Sequence, residues 1–235
     1  TSKFIKEDEN FKIKASAIIN EVTPSTKIIY LANPNNPTGT YLERTEIVNL
    51  LNELPKNIIL VLDCAYAEYV IKDDYDKGFS LVEDFENVII TRTFSKVYGL
   101  AGLRIGWCYA SQKVANVLNK VKGPFNTQHL SQELAIIALE DKEYVNKIVE
   151  NNYEVKCWFE DELKTLKIDI YPSEGNFSFI KTTIDKAKEI TIHLMKEGII
   201  VRQLDSYRLP EYLRITIGTK EEMDATLQSL KKILK

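Results

Sequence analysis

The sequence predicts an α/β protein: a large domain with a mostly parallel sheet and flanking helices, followed by a small C-terminal α+β domain. Three observations carry this. Short unbroken apolar runs at 26–31 (TKIIYL), 58–62 (IILVL) and 87–91 (NVIIT) alternate with stretches of helical spacing. Strands without polar alternation are buried on both faces, as in parallel sheets. Each run then breaks into polar or turn-forming residues, and near residue 141 the texture changes to one long charged helix followed by short strands.

Taken in order, residues 1–21 hold a polar lead and then FKIKASAII. The chain opens without an initiator methionine and in mid-texture, which reads as a start that is not a natural N-terminus. The strand at 26–31 runs into Asn33-Pro-Asn-Asn36-Pro-Thr-Gly39, where the two prolines bar helix. Residues 45–54 carry Ile47, Val48, Leu50, Leu51 and Leu54 at helical spacing, and Pro55 ends them. The strand at 58–62 leads into Asp63-Cys-Ala-Tyr66, 81–85 reads as a short helix, and the strand at 87–91 leads into TRTFSKVYGLAGLRIG. Helices are expected at 111–121 and 131–140, the second with Ser131 as its cap and Leu134, Ile137 and Ala138 inward. The small domain reads as helix 142–165, strands 168–171 and 176–180, helix 186–197 stopped by Gly198, strands 199–202 and 212–217, and helix 221–234. The expected domains are therefore 1–141 and 142–235.

Bulk properties exclude several function classes. A net charge of −3 argues against a nucleic-acid surface, which needs a basic patch. No apolar run approaches the roughly 20 residues that span a bilayer, and residues 1–10 contain no apolar signal core. The three cysteines lack metal-like spacing and suit a reducing, cytoplasmic compartment. Two histidines are too few for a multi-histidine metal site, and His129 reads as structural.

Chemistry-bearing residues cluster just after the expected strands, where ligands of open α/β sheets bind. Lys96 follows a buried run; a desolvated lysine favours its neutral form, and a neutral amine attacks carbonyls to form a Schiff base. Ser95 and Arg104, with Thr93, suit a phosphate, and Gly99, Ala101 and Gly102 let backbone approach a ligand. An aldehyde bearing a phosphate points to pyridoxal 5'-phosphate (PLP). Asp63 suits the partner of a protonated pyridine nitrogen, and Tyr66 and Asn36 suit donors to a ring oxygen. Each has a plain alternative: a solvated loop lysine, a turn aspartate, a half-buried tyrosine, a turn asparagine, a structural arginine. Arg202 and Arg214 lie in expected strands of the small domain and suit a substrate anion, against the alternative of edge-strand arginines facing solvent.

Together NPNNPTG at 33–39, DCAY at 63–66, TFSK at 93–96 and GLAGLRIG at 99–106 resemble fold-type I PLP-dependent aminotransferases, closest to the histidinol-phosphate aminotransferase branch. The resemblance runs from about residue 26 to 235. It implies the large domain of PLP-dependent transferases of type I, with Lys96 as the lysine that bonds the cofactor. It implies Asp63 at the pyridine nitrogen, Tyr66 and Asn36 at the ring oxygen, and Thr93, Ser95 and Arg104 at the phosphate. Asn36, Arg202 and Arg214 match substrate-binding positions. The implied activity is transamination of histidinol phosphate with 2-oxoglutarate in a cytoplasmic homodimer, with no nucleic acid, membrane or metal involved. An aromatic amino-acid aminotransferase, a phospho-amino-acid lyase of the same fold, and a non-catalytic fragment remain open. The family's glycine-rich phosphate loop, ring-stacking aromatic and cross-dimer tyrosine have no match here, and Arg208 stands where a glycine is usual.

Overall fold

The computed structural model describes residues 1–234. The chain forms two compact units, residues 1–35 with 41–146, and residues 36–40 with the chain from Lys147 onward.

The first unit runs α1 (Ala15–Asn20), β1 (Ile28–Ala32), α2 (Arg44–Glu53), β2 (Ile59–Asp63), α3 (Phe79–Asp84), β3 (Val88–Thr93), β4 (Gly106–Ala110), α4 (Gln112–Val121) and α5 (His129–Glu140). Its sheet has the order β1-β2-β3-β4; the first two pairings are parallel and the last is antiparallel. The apolar runs give the strands because their side chains have somewhere to go: Leu60, Leu62, Val88 and Ile90 are buried in one core with Ile47, Leu50 and Leu51 of α2. Burial of each such side chain contributes about 1.5–3 kcal/mol. Helix α2 starts at a capping box, with Glu43 and Glu46 each bonding the other's backbone N–H. The antiparallel β4 was not expected. Its sequence, GWCYA, is half-exposed throughout and carries no unbroken apolar run. It pairs closely because Gly106 has no Cβ, which would stand 2.6 Å from the Arg92 carbonyl oxygen.

Helix α5 departs from expectation at two points. It begins at His129 rather than at 131, so Ser131 is not its cap; the buried Ser131 hydroxyl instead donates to the Leu103 carbonyl at 3.2 Å. Ala135 is buried on the same side, and Ile137 is exposed. Two apolar faces compete on this helix, and periodicity alone does not choose between them.

The second unit holds most of α6 (Lys142–Thr165), then β5 (Asp169–Tyr171), β6 (Phe177–Lys181), α7 (Ile184–Lys196), β7 (Arg202–Leu204), β8 (Leu209–Thr216) and α8 (Lys220–Leu234). Its sheet is antiparallel, ordered β5-β6-β8-β7. One face of the sheet, with Ile180, Leu213 and Ile215, shares a core with Phe159, Leu163, Ile190, Leu194, Leu227 and Leu230. Thr183 caps α7 by accepting the Lys186 N–H at 3.2 Å. The strand expected at 199–202 starts only at Arg202, because Ile199 is still tied to the end of α7 through its N–H to the Leu194 carbonyl at 2.9 Å.

The proline-rich stretch after β1 is fastened at two places. Asn33 is buried; its side chain accepts the Leu42 N–H at 2.7 Å and donates to the Leu42 carbonyl at 3.2 Å, while its own carbonyl accepts from the Tyr75 hydroxyl at 2.6 Å. This closes the base of the excursion made by residues 34–41. Within the second unit, Gly39 accepts the Glu174 N–H at 2.8 Å and has φ +79°, and a Cβ there would meet Ser173 Cα at 2.6 Å. The buried Lys156 amine donates to the Ser173 carbonyl.

Replacing Asn33 by Ala leaves both Leu42 backbone groups unpaired. The expected loss is about 1–3 kcal/mol for each buried group left unsatisfied, read from the urea unfolding midpoint; an unchanged midpoint would remove Asn33 from this role. Gly39→Ala should cost a further, independent increment of about 1–3 kcal/mol from its left-handed backbone alone, with steric conflict at Ser173 added. Additivity of the two variants in the same titration checks that the two fastenings are separate.

Candidate active site

The parallel register decides which side chains meet. Ala32, Asp63 and Thr91 stand side by side in the β1-β2-β3 ladder, so the carboxyl ends of the three strands open at one level. Asp63 ends β2 and is exposed; its Oδ1 accepts the Ala65 N–H at 3.2 Å, which turns the chain toward Tyr66. The strand carries its last residue out to solvent, so no cost of carboxylate burial arises here. Tyr66 is buried and leads into a single 3-10 turn, Ala67–Tyr69.

The segment after β3 folds back on itself. The Thr93 hydroxyl accepts the Ser95 N–H at 3.0 Å, Gly99 N–H reaches the Lys96 carbonyl at 2.9 Å, and Leu100 N–H reaches the Phe94 carbonyl at 2.9 Å. Lys96 is half-buried, and its amine lies 5.1 Å from the centroid of the Tyr66 ring. Arg104 has φ 52° and is exposed; its Nη1 donates to the Ala101 carbonyl at 2.9 Å and lies 3.5 Å from the Ser95 hydroxyl. The first unit thus brings an amine, a phenol, a carboxylate, two hydroxyls and a guanidinium to the same end of one sheet.

Asn36, Arg202 and Arg214 belong to the second unit, where they form their own group. Arg214 Nη1 donates to Asn36 Oδ1, and its guanidinium lies 5.2 Å from the Phe177 ring centroid. Arg202 is the direct cross-strand partner of Arg214 in the β7-β8 ladder and is exposed. The buried Arg214 Nε has no protein partner among the described residues. Two cations facing each other on neighbouring strands repel, and an anion between them relieves that repulsion. Arg208 has φ 61°, the region that glycine enters freely, so the residue sits where the backbone favours the glycine usual there.

A polar layer lies under the first group, and sequence reasoning passed over it. Arg92 pairs with Glu68 at 2.7 Å, and the Tyr75 hydroxyl donates to the Asn33 carbonyl at 2.6 Å close to the Cys64 thiol. Burial pushes the Cys64 thiol up to about 12 and the Tyr75 hydroxyl up as well; it also raises Glu68, against the pull of Arg92 in the opposite direction. One signal was available: Val88, Ile90 and Arg92 share the period-2 face of a buried strand, which makes Arg92 a buried charge in need of a partner. Among the described residues no His, Cys, Asp and Glu cluster suits a metal ion, and no helix is long and apolar enough to cross a membrane.

Comparison with known proteins identifies a family for the chain. The family model for aminotransferase class I and II matches residues 3–230. A histidinol-phosphate aminotransferase of Granulibacter bethesdensis is 44% identical over 219 residues, covering 93% of this chain and 59% of the relative. One from Rhodopseudomonas palustris is 41% identical, covering 92% and 60%. The chain therefore spans about three-fifths of the length of the curated relatives it matches. The crystal structure of histidinol-phosphate aminotransferase from Sinorhizobium meliloti in complex with pyridoxal-5'-phosphate superimposes with a TM-score of 0.81 at 31% identity, over 88% of this chain and 57% of that one. The Clostridium acetobutylicum histidinol-phosphate aminotransferase superimposes with a TM-score of 0.91 over 99% of this chain and 71% of that one; at 20% identity it speaks for the fold alone. With the family model running over nearly its whole length, this chain belongs to the class I and II aminotransferases.

Proposed function

We propose that the protein is a PLP-dependent aminotransferase that moves the amino group of histidinol phosphate to 2-oxoglutarate. The observation that carries the reading is the Lys96 amine over the Tyr66 ring, beside the Thr93-Ser95-Arg104 group, at the carboxyl end of the sheet. The relatives' shared name supports the choice of donor.

The donor set suits PLP. Among the described residues, Arg104 spends Nη1 on the Ala101 carbonyl and the Ser95 hydroxyl, which leaves other guanidinium donors for a phosphate. Ser95 and Thr93 add hydroxyls beside it. Asp63 is an exposed carboxylate, suited to a protonated ring nitrogen. Tyr66 and Asn36 would hold the ring oxygen, and Lys96 would bond the aldehyde carbon. When bound, the cofactor supplies the electron sink for the reaction. The Lys96 amine then carries the proton at the donor's α-carbon, as general base and then general acid. Arg214, with Arg202 across the ladder, would grip the substrate's anionic group bidentately. The Asn36 amide oxygen accepts from Arg214 and so orients that guanidinium. The reading includes a cytoplasmic homodimer, with the three free cysteines in keeping with a reducing compartment.

Lys96→Ala should lower turnover by at least about a hundredfold, the lower bound for losing a positioned acid–base group. Borohydride treatment of the PLP-loaded protein should attach the pyridoxyl group to Lys96 alone, as read by peptide mass spectrometry. Attachment at another lysine would refute the assignment. Initial rates should favour histidinol phosphate over phenylalanine as donor, with Arg214→Ala raising KM for the former; a preference for phenylalanine would move the protein to the aromatic branch. Absence of PLP binding by the folded protein would favour a non-catalytic role.

A further inference from the structure

The Arg92–Glu68 pair has no part in the reaction proposed above, yet it joins the two segments that carry it. Arg92 Nη1 donates to Glu68 Oε1 at 2.7 Å and Nη2 donates to the Lys77 carbonyl at 3.0 Å. The guanidinium lies 5.5 Å from the Phe79 ring centroid and 5.9 Å from that of Trp107. The two side chains are only 3% and 14% exposed. Burial of this kind does not by itself stabilise a fold, because desolvating both ions offsets their attraction, and apolar residues of similar volume often serve as well. What such a pair supplies is direction: with Nη2 held on the Lys77 carbonyl, the guanidinium plane is set, and Nη1 holds one Glu68 carboxylate oxygen in a fixed place.

The direction matters because of what lies next to each partner. Glu68 sits in the one-turn 3-10 helix that begins immediately after Tyr66. Arg92 immediately precedes Thr93, whose hydroxyl holds the Ser95 N–H, and Lys96 follows Ser95. The Tyr66 ring and the Lys96 amine, 5.1 Å apart, are thus the two ends of a short path that runs through the ion pair. The 63–66 turn and the 93–96 turn hang from different strands, β2 and β3, and the parallel ladder between those strands ends at Asp63 and Thr91. Beyond that point the ladder no longer sets their spacing, and the pair takes over.

We propose that Glu68 and Arg92 are positioning residues: their buried pair locks the Tyr66 turn to β3 and so sets the Tyr66 hydroxyl and the Lys96 amine in one geometry for the cofactor. The inference rests on the reading of the site as a PLP site.

A double-mutant cycle tests it. The dissociation constant for PLP is measured in the parent, Glu68→Gln, Tyr66→Phe and the double variant, together with the visible absorbance of each loaded protein as a function of pH. If Glu68 acts through Tyr66, Glu68→Gln weakens PLP roughly tenfold in the parent and by less than about twofold in the Tyr66→Phe background. It should also move the absorbance transition in the same direction as Tyr66→Phe does. Equal weakening in both backgrounds, or an unmoved transition, overturns the proposal and leaves the pair a purely structural one. Should Glu68→Gln fail to fold, Glu68→Asp, which keeps the charge and withdraws it from the fork, takes its place in the cycle. A second readout uses the cofactor-free protein: acetic anhydride labelling of Lys96, followed by mass spectrometry against the exposed Lys113 as internal standard, should be faster in Glu68→Gln than in the parent. If the parent binds no PLP, the functional reading falls; unchanged Lys96 labelling sinks the positioning role on its own.

Discussion

The parallel ladder through β1, β2 and β3 is the constraint on which the first unit depends. It holds Ala32, Asp63 and Thr91 in one row, so the three loops that follow leave the sheet from one level. Parallel pairing requires a crossover between strands, here supplied by α2 between β1 and β2 and by α3 between β2 and β3. With the apolar side chains of those strands committed to the core, the polar residues at their carboxyl ends have no place except at the rim. A chemically dense rim is therefore a consequence of how the core is filled.

The short fastenings around the proline-rich stretch follow the same logic at smaller scale. A segment with two prolines has few backbone donors and forms no regular structure of its own, so its course must be set by side chains. Asn33 does this at one end by acting as a backbone mimic for Leu42, with Tyr75 holding its carbonyl. Gly39 does it by close approach to Ser173, whose carbonyl is pinned by Lys156. Asn36 lies between these two points, and its amide oxygen faces Arg214.

Much of this was legible in the amino-acid sequence, and the exceptions have physical causes. The runs IIYLA, ILVLD and VIITRT stood out as consecutive apolar residues too short for a helix; burial on both faces holds only for the middle of ILVLD, while β3 alternates and Ile28 and Tyr30 of β1 are exposed. The helix from 142 to 165 was legible because one amphipathic period runs unbroken through it. GWCYA was not, since an antiparallel edge strand with exposed Cys108 and Tyr109 has neither a continuous apolar run nor a clean alternation. Ser131 looked like a cap because it precedes an apolar stretch, whereas the helix had already begun and buried the hydroxyl against Leu103. The motif residues at the strand ends were visible as types in the right order. That Asn33 clamps while Asn36 meets an arginine was not visible, because identical side chains in one loop differ only by which way the backbone turns them.

Arg202 and Arg214 pose the converse problem, of residues that a fold alone would not choose. Directly opposed like charges on antiparallel strands are unfavourable, and the second unit has ample apolar neighbours that would fill those positions at less cost. The structure eases the conflict only in part: Arg214 has the Asn36 amide oxygen and the Phe177 ring, while Arg202 is exposed and Arg214 Nε is buried without a protein partner among the described residues. An unpaired buried donor costs about 1–3 kcal/mol, a deficit that a bound carboxylate or phosphate would remove along with the repulsion. The same reasoning applies to Arg208, held at φ 61° where glycine would sit without strain. Local disadvantage of this sort, gathered on β7, β8 and the turn between them while apolar residues of the same sheet fill the core, marks where this unit departs from packing alone.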